Sequence, residues 1–331
     1  MKAGTDWARP PEDVKLLYVD SRAEAFRDQR FTELPELLGK GDLLVLNDAA
    51  TLPASLRAGD VEVRLAGELE GGAFRAVLFG AGDWRTDTDV RPAPPVLRAG
   101  AVLRFGDGLS AMVESVSTVS PRLVSVRFDS TGAALWESLY RHGRPIQYAY
   151  LSKPVPLSAV QTSYAARPWA SEMPSAGRPL RWPTLSKLLE GGVKVATLTH
   201  AAGLSATGDR ALDAALPLPE RYELPAETVA AVAAAKRVIA VGTTVVRALE
   251  GNARSNGGRL VAGRGVTDLI IGPTTSLSVV DGILSGMHEP GSSHFSLLTA
   301  FAPGALLAKA AAHAEGAGYL VHELGDSTLV V

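Results

Sequence analysis

The chain contains no cysteine in 331 residues, which excludes disulfides, zinc ribbons and thiolate-held metal clusters. It has no apolar run approaching the roughly 20 residues of a membrane span. Its first 30 residues, from Met1 to Arg30, are too charged for a secretory leader, so a cytoplasmic protein is expected. It also lacks an excess of positive charge. With Lys+Arg 33 against Asp+Glu 35 the formal net charge is -2, and no overall basic field draws it toward nucleic acid. No internal repeat is visible. What is present is material for a large core: 46% hydrophobic against 21% charged residues, in a length that holds two domains or one domain with an insertion.

The most informative stretch is Val238-Ile239-Ala240-Val241-Gly242-Thr243-Thr244-Val245-Val246-Arg247-Ala248-Leu249-Glu250. The apolar run predicts a strand covered on both faces, and the segment after Gly242 predicts a helix. Gly242 permits a tight turn, and Thr243 or Thr244 can cap the helix. Exposed backbone N–H groups at such a turn suit a carboxylate or phosphate. Arg247 and Glu250 share one helical face, and Arg247 is expected to face a ligand rather than the core. Taken alone, the pattern is also that of an ordinary strand, turn and helix.

Elsewhere the chain changes character twice. A strand over Asp42 to Leu46 is followed, from Val61 to about Phe128, by short alternating runs broken by glycine and proline. These predict a small antiparallel β-barrel. After Tyr164 strands and helices alternate. Val193 to Thr199 and Leu269 to Ile271 read as buried strands, and Pro225 to Lys236 as a helix opening with proline. Ser292 to Glu315, interrupted by Pro303-Gly304, reads as two helices, with closing strands over Tyr319 to Val321 and Thr328 to Val331. Arg141, Arg144, Lys153, Arg167, Arg178, Arg181 and Lys187 gather in the middle third without helical spacing, which fits a solvated face or a local basic patch.

Several strings, taken in order, resemble one family. Gly41-Asp42-Leu43-Leu44-Val45-Leu46-Asn47-Asp48 followed by Leu52-Pro53-Ala54 is similar to GDLLVFND…IPA. Met287-His288-Glu289-Pro290-Gly291-Ser292-Ser293 with Ala300-Phe301 is similar to FHLP-x-S-T…AF, and Gly325-Asp326 to a closing GD. Gln161-Thr162-Ser163-Tyr164, Ser175-Ala176-Gly177 and Thr197-Leu198 fall between them in the same order. The family is that of the S-adenosylmethionine:tRNA ribosyltransferase-isomerases of queuosine biosynthesis. The resemblance covers roughly residues 12 to 331. It implies an α/β pseudo-barrel main domain, residues 1–57 plus 150–331, with an inserted antiparallel β-barrel over residues 58–149, and a cytoplasmic monomer.

The resemblance further implies a transferase for which S-adenosylmethionine is a co-substrate. Its ribosyl part is transferred to an amine acceptor, in the family an aminomethyl-deazaguanine in tRNA, and isomerised, with release of adenine and methionine. Without cysteine for an iron–sulfur cluster, chemistry on that donor is polar. The sulfonium acidifies the C5′ protons, so a base can take one, and the departing adenine must be protonated or hydrogen-bonded. His288, in a loop fixed by Pro290 and Gly291, is the expected proton-transfer group, with Glu289 and His200 as the other candidates. Gly242, Thr243, Thr244 and Arg247 are expected to hold the methionine carboxylate or the ribose. Asn47, Asp48 and Asp326 are expected to orient the nucleoside, Gln161 and Tyr164 to meet the purine, and Gly177 to allow close approach of a ligand. No metal is expected, because His288 and His294 lack a third ligand.

The departures from the family strings bear on the acceptor. NDTRVIPARL becomes a string with Ala49, Ala50 and Ser55 in place of the threonine and both arginines, and RYQTVY becomes Ala159-Val160-Gln161-Thr162-Ser163-Tyr164. TLHVGAGTF becomes Thr197-Leu198-Thr199-His200-Ala201-Ala202-Gly203-Leu204-Ser205, displacing the histidine by one, which on a strand reverses its face. YRFFSYGD becomes Tyr319-Leu320-Val321-His322-Glu323-Leu324-Gly325-Asp326. Lost arginines are expected to weaken binding of tRNA. The retained strings favour an enzyme acting on tRNA or a smaller acceptor, and the altered Thr199-His200 string favours a silent nucleoside- or nucleic-acid-binding module.

Overall fold

The computed structural model describes residues 1–106 and 108–331. Five elements position the site: β1 (Asp42–Asn47), β2 (Lys194–His200), β3 (Arg237–Val241), α1 (Thr243–Ser255) and β4 (Gly282–Gly286). They belong to a mixed nine-stranded sheet in the order Gly263–Thr267, Glu220–Leu224, β2, β1, β3, β4, Ser327–Val330, Lys15–Asp20, Ala25–Arg30. The central four run parallel, so their carboxyl ends open at one edge. The apolar runs form strands here because both faces are covered. Leu43, Val45, Val238 and Ala240 enter a core with α1 and the helix Gly304–Gly316, whereas Leu44, Leu46, Ile239 and Val241 enter a second core with Leu185 and Leu188 of the helix Trp182–Glu190. Alternation of side chains along each strand supplies both sets.

The predicted barrel is a six-stranded antiparallel sheet, in the order Ser55–Ala58, Val61–Glu68, Phe74–Phe79, Leu123–Phe128, Leu109–Val116, Val102–Gly106, with its end strands close together. Phe74, Phe105, Phe128 and Val126 fill its interior, and Leu135 and Leu139 of the helix Gly132–His142 close one end. Two predicted elements differ. Leu269 to Ile271 is not a strand but a loop, with Leu269 and Ile271 buried and Ile270 69% exposed. The neighbouring strand is instead Gly263–Thr267, in which Val266 is the one large apolar side chain and is exposed, so the segment gives no buried-strand signal. The threonines do not cap α1. Gly242 occupies the cap position at φ +89°, a conformation other side chains rarely adopt, and no side chain accepts from the first turn. Among the described residues no helix is long and apolar enough to cross a membrane.

Candidate active site

A cavity of about 250 Å³ opens at the carboxyl ends of the parallel strands, just below the roughly 300–1,000 Å³ usual for small-molecule sites. Crevices at this edge of an α/β sheet are where such ligands bind. Gly242, Thr243, Thr244 and Arg247 form one wall, Ser285, Gly286, His288 and His294 another, and the segment Ala202 to Ser205 a third. The uncapped first turn of α1 therefore presents its backbone N–H groups to the cavity, a fit for an anionic group.

Arg247 is more buried than the sequence suggests, at 6% exposure. Its Nε donates to the Leu269 carbonyl at 3.0 Å, and its Nη1 is paired with Glu220. Among the described residues, only Nη2 has no protein acceptor. It faces both core and cavity, a correction to the expectation that the ligand takes it whole. Burial raises the Glu220 carboxyl's hold on its proton, and Arg247 opposes that shift. Glu250, on the same face of α1, accepts from the backbone N–H groups of Ser278, Val279 and Val280 and fixes the approach to β4.

His288 lies in the cavity wall with its Nε2 2.9 Å from the Ser285 hydroxyl at the end of β4. Its ring stacks on His294 with centroids 4.8 Å apart. Burial, then the neighbouring His294 and His322, hold its pKa well below the ordinary histidine value. The ring is therefore neutral near pH 7, and Nε2 can accept the Ser285 proton.

Other predicted site residues lie elsewhere. Asn47 is 1% exposed and fully engaged: Oδ1 accepts from the N–H groups of Ala49 and His200, and Nδ2 donates to the His200 carbonyl and Thr244 Oγ1. It ties β1 to β2 and α1. Asp48 accepts from Thr199 Oγ1 at 2.6 Å, outside the cavity. Asp326 accepts from Arg9, from the Lys15 N–H and from the Leu320 N–H, and so closes the fold. Gly177 is required by protein packing, since a Cβ there would come 1.9 Å from the Tyr164 hydroxyl, and neither residue lines the cavity. Glu289 turns outward to the Met1 amine at 3.2 Å. His200 is fully buried behind Glu220, with Nε2 3.5 Å from Glu220 Oε2, and does not reach the cavity. Among the basic residues of the middle third, Arg178 is buried on the Trp7 carbonyl, while Arg141 pairs with Glu137 and Arg167 with Glu223.

Gln161 grips the backbone of Thr51 at both ends, with Oε1 accepting from its N–H at 2.8 Å and Nε2 donating to its carbonyl at 2.9 Å. Gln161→Ala should therefore cost about 1–3 kcal/mol of stability by stranding these groups. Affinity for a cavity ligand should stay unchanged. Thermal melting paired with calorimetry checks this, and a weakened ligand with unchanged stability would return Gln161 to the site.

Sequence reasoning missed Ser285, Glu172, Glu220, His322 and Glu323, all in the cavity wall. Ser285 precedes His288 by only three residues, a spacing that could have flagged it. The others reach the cavity through long-range contacts that leave no local pattern.

Comparison with known proteins bears on this site. A family model described as queuosine biosynthesis protein matches residues 4–330. The chain is 35% identical over 338 residues to the S-adenosylmethionine:tRNA ribosyltransferase-isomerase of Anaeromyxobacter dehalogenans, covering 97% of this chain and 93% of the relative. It is 34% identical over 343 residues to the protein of the same name from Thermus thermophilus, with 97% and 94% coverage. The crystal structure of S-adenosylmethionine tRNA ribosyltransferase from Thermotoga maritima matches with a TM-score of 0.53 and 22% identity, over 100% of this chain and 96% of that one. At that identity the likeness is one of fold.

Proposed function

The chain belongs to the queuosine biosynthesis protein family, and on that premise we propose that it is a cytoplasmic ribosyltransferase-isomerase that consumes S-adenosylmethionine and passes its ribosyl part to an amine acceptor. We read the nine-stranded sheet as the family's pseudo-barrel, with residues 1–57 and 150–331 as the main part and 58–149 as the inserted barrel. The observation that carries the reading is one cavity shared by an uncapped helix N-terminus, a buried arginine with a free N–H and a neutral histidine bonded to a serine.

In this reading the methionine carboxylate lies against the first-turn N–H groups of α1 and Arg247 Nη2. The proton-transfer group is the Ser285 and His288 pair, with the hydroxyl nearer the substrate and the imidazole receiving its proton. His200 and Glu289, lying outside the cavity, act at most on the fold. Incubation of the purified chain with S-adenosylmethionine, with and without tRNA, tests the reading. Release of adenine supports it, and binding of the donor without any turnover would leave a nucleoside-binding module.

One observation favours a small acceptor over tRNA. Ser55, where the family string has arginine, donates to the buried Glu62, which Arg64 and Arg91 also clamp. The exposed Arg144 pairs with Ser55 across an isolated bridge and is the exposed cation that stands beside the lost one. If three phosphate contacts are missing at Ala50, Ser55 and Ala159, tRNA should bind weakly, with a salt slope shallower by about three units. Titration of unmodified tRNA at several salt concentrations measures it, and tight binding with a steep slope would restore tRNA as the acceptor.

A further inference from the structure

Among the described residues Arg64, Arg91, Arg178 and Arg247 are buried, and three of them meet carboxylates. Arg64 and Arg91 clamp Glu62, and Arg247 pairs with Glu220. Arg178, only 4% exposed, has no carboxylate partner among the described residues. Its Nη2 donates to the Trp7 carbonyl at 2.7 Å, and its Nε has no acceptor. A buried charge is costly unless an opposite charge meets it. Burial, then the like charges of Arg181 and Arg9, loosen the hold of Arg178 on its proton, and Asp6 opposes them without pairing with it.

Two further N–H groups are stranded on the segment that covers Arg178. Trp7 Nε1 and Arg9 Nη1 are buried without an acceptor among the described residues, and residues 4–10 form neither helix nor strand. The other end of the Arg9 guanidinium is spent: Nη2 donates to Asp326 at 2.6 Å and to the Asp13 carbonyl. Asp326 is in turn filled by the N–H groups of Lys15 and Leu320. Indole and guanidinium nitrogens only donate, so what satisfies all three is an acceptor from outside the chain. A water accepts such bonds but leaves the charge of Arg178 unmet, whereas an oxyanion does both, and guanidinium groups suit it best. Trp7 and Arg9 are half-buried, with exposed Asp6, Ala8 and Pro10 around them, so a small ion has a short path in from the surface. A phosphate fixed in a polynucleotide backbone does not reach buried nitrogens by that path.

We propose that Trp7 Nε1, Arg9 Nη1 and Arg178 Nε form a binding site for a small free oxyanion of the phosphate or sulfate class, which neutralises Arg178 and ties residues 4–10 to the turn Ser175–Gly177 that precedes it. None of the three residues lines the main cavity, whereas Ser175 and Ala176 of that turn do. The ion is therefore no reactant of the transfer proposed above, and it braces one wall of the cavity from behind.

The test is calorimetric titration of the full chain with sodium phosphate, with chloride holding the ionic strength constant. Phosphate should bind saturably at one site, and sulfate should compete for it. R178M should weaken the binding at least about tenfold. W7F, which keeps the ring stack and every charge but removes one N–H, should weaken it by about tenfold. Saturating phosphate should also raise the melting temperature of the wild type and leave that of R178M unmoved. No saturable binding, or binding of equal strength in either variant, would overturn the proposal, and should R178M fold poorly, W7F decides alone. Unmodified tRNA should leave the bound phosphate in place. Displacement by tRNA would hand the three N–H groups to a polynucleotide and overturn the assignment to a free ion.

Discussion

His288→Gln should lower turnover of S-adenosylmethionine by about 10² to 10⁴, the range of a positioned acid or base, with donor affinity nearly intact. Glutamine can still meet the Ser285 hydroxyl but cannot take its proton. The groups packed around the ring set the pH dependence: Ser285 below it, His294 stacked on it, His322 beside it, and Arg247 acting on His294. Burial first, and then the like charges of His294 and His322, depress the pKa of His288. The acid limb of the rate should therefore lie below the ordinary histidine value of about 6.5, not at it. His288 and His294 also bind fewer protons folded than unfolded below that value, so stability is full above about pH 6.5 and falls as the pH drops. Rate profiles of wild type and His288→Gln, with urea midpoints at two pH values, check both signs. Equal turnover in His288→Gln would make the residue structural, and an acid limb at pH 6.5 or above would contradict the neutral ring.

The parts of this molecule that were legible in the sequence are those fixed by local chemistry. The run Val238 to Val241 ends where Gly242 must adopt a positive φ, and the helix follows. The alternating runs between Val61 and Phe128 form the barrel because one face of each strand meets a common interior. Of the residues singled out in the sequence, Gly242, Thr243, Thr244, Arg247 and His288 line the cavity, all but Arg247 in such turns. Asn47, Asp48 and Asp326 mislead because a polar residue at a strand end looks the same whether its hydrogen bonds go to a ligand or to the protein. Here they go to the protein, across 153 residues from Asn47 to His200 and 151 from Thr199 to Asp48. The loop Leu269 to Ile271 misleads for a related reason. Its apolar side chains pack beside the cavity, but the Leu269 carbonyl is taken by Arg247 rather than by a neighbouring strand.

Arg247→Ala should cost about 3–5 kcal/mol of stability, because it leaves the Glu220 carboxylate buried beside His200 without its cation. This differs from a surface arginine reaching for a ligand, whose loss would leave the fold untouched. The stability loss belongs to the stranded charge, so Arg247→Ala combined with Glu220→Gln should recover a good part of it. The donor should not recover. Among the described residues Nη2 is the one nitrogen of the guanidinium without a protein acceptor, and Arg247 lines the cavity beside the first turn of α1. Loss of a charge-assisted hydrogen bond there costs about 1.5–3 kcal/mol, roughly ten- to a hundredfold in affinity for S-adenosylmethionine. The double variant thus separates the two tasks of one side chain. Thermal melting should place it between wild type and Arg247→Ala, while calorimetry should find donor affinity as weak as in the single variant. A double variant that binds the donor like wild type would confine Arg247 to the core, and a single variant as stable as wild type would show that the pair with Glu220 contributes nothing to the fold.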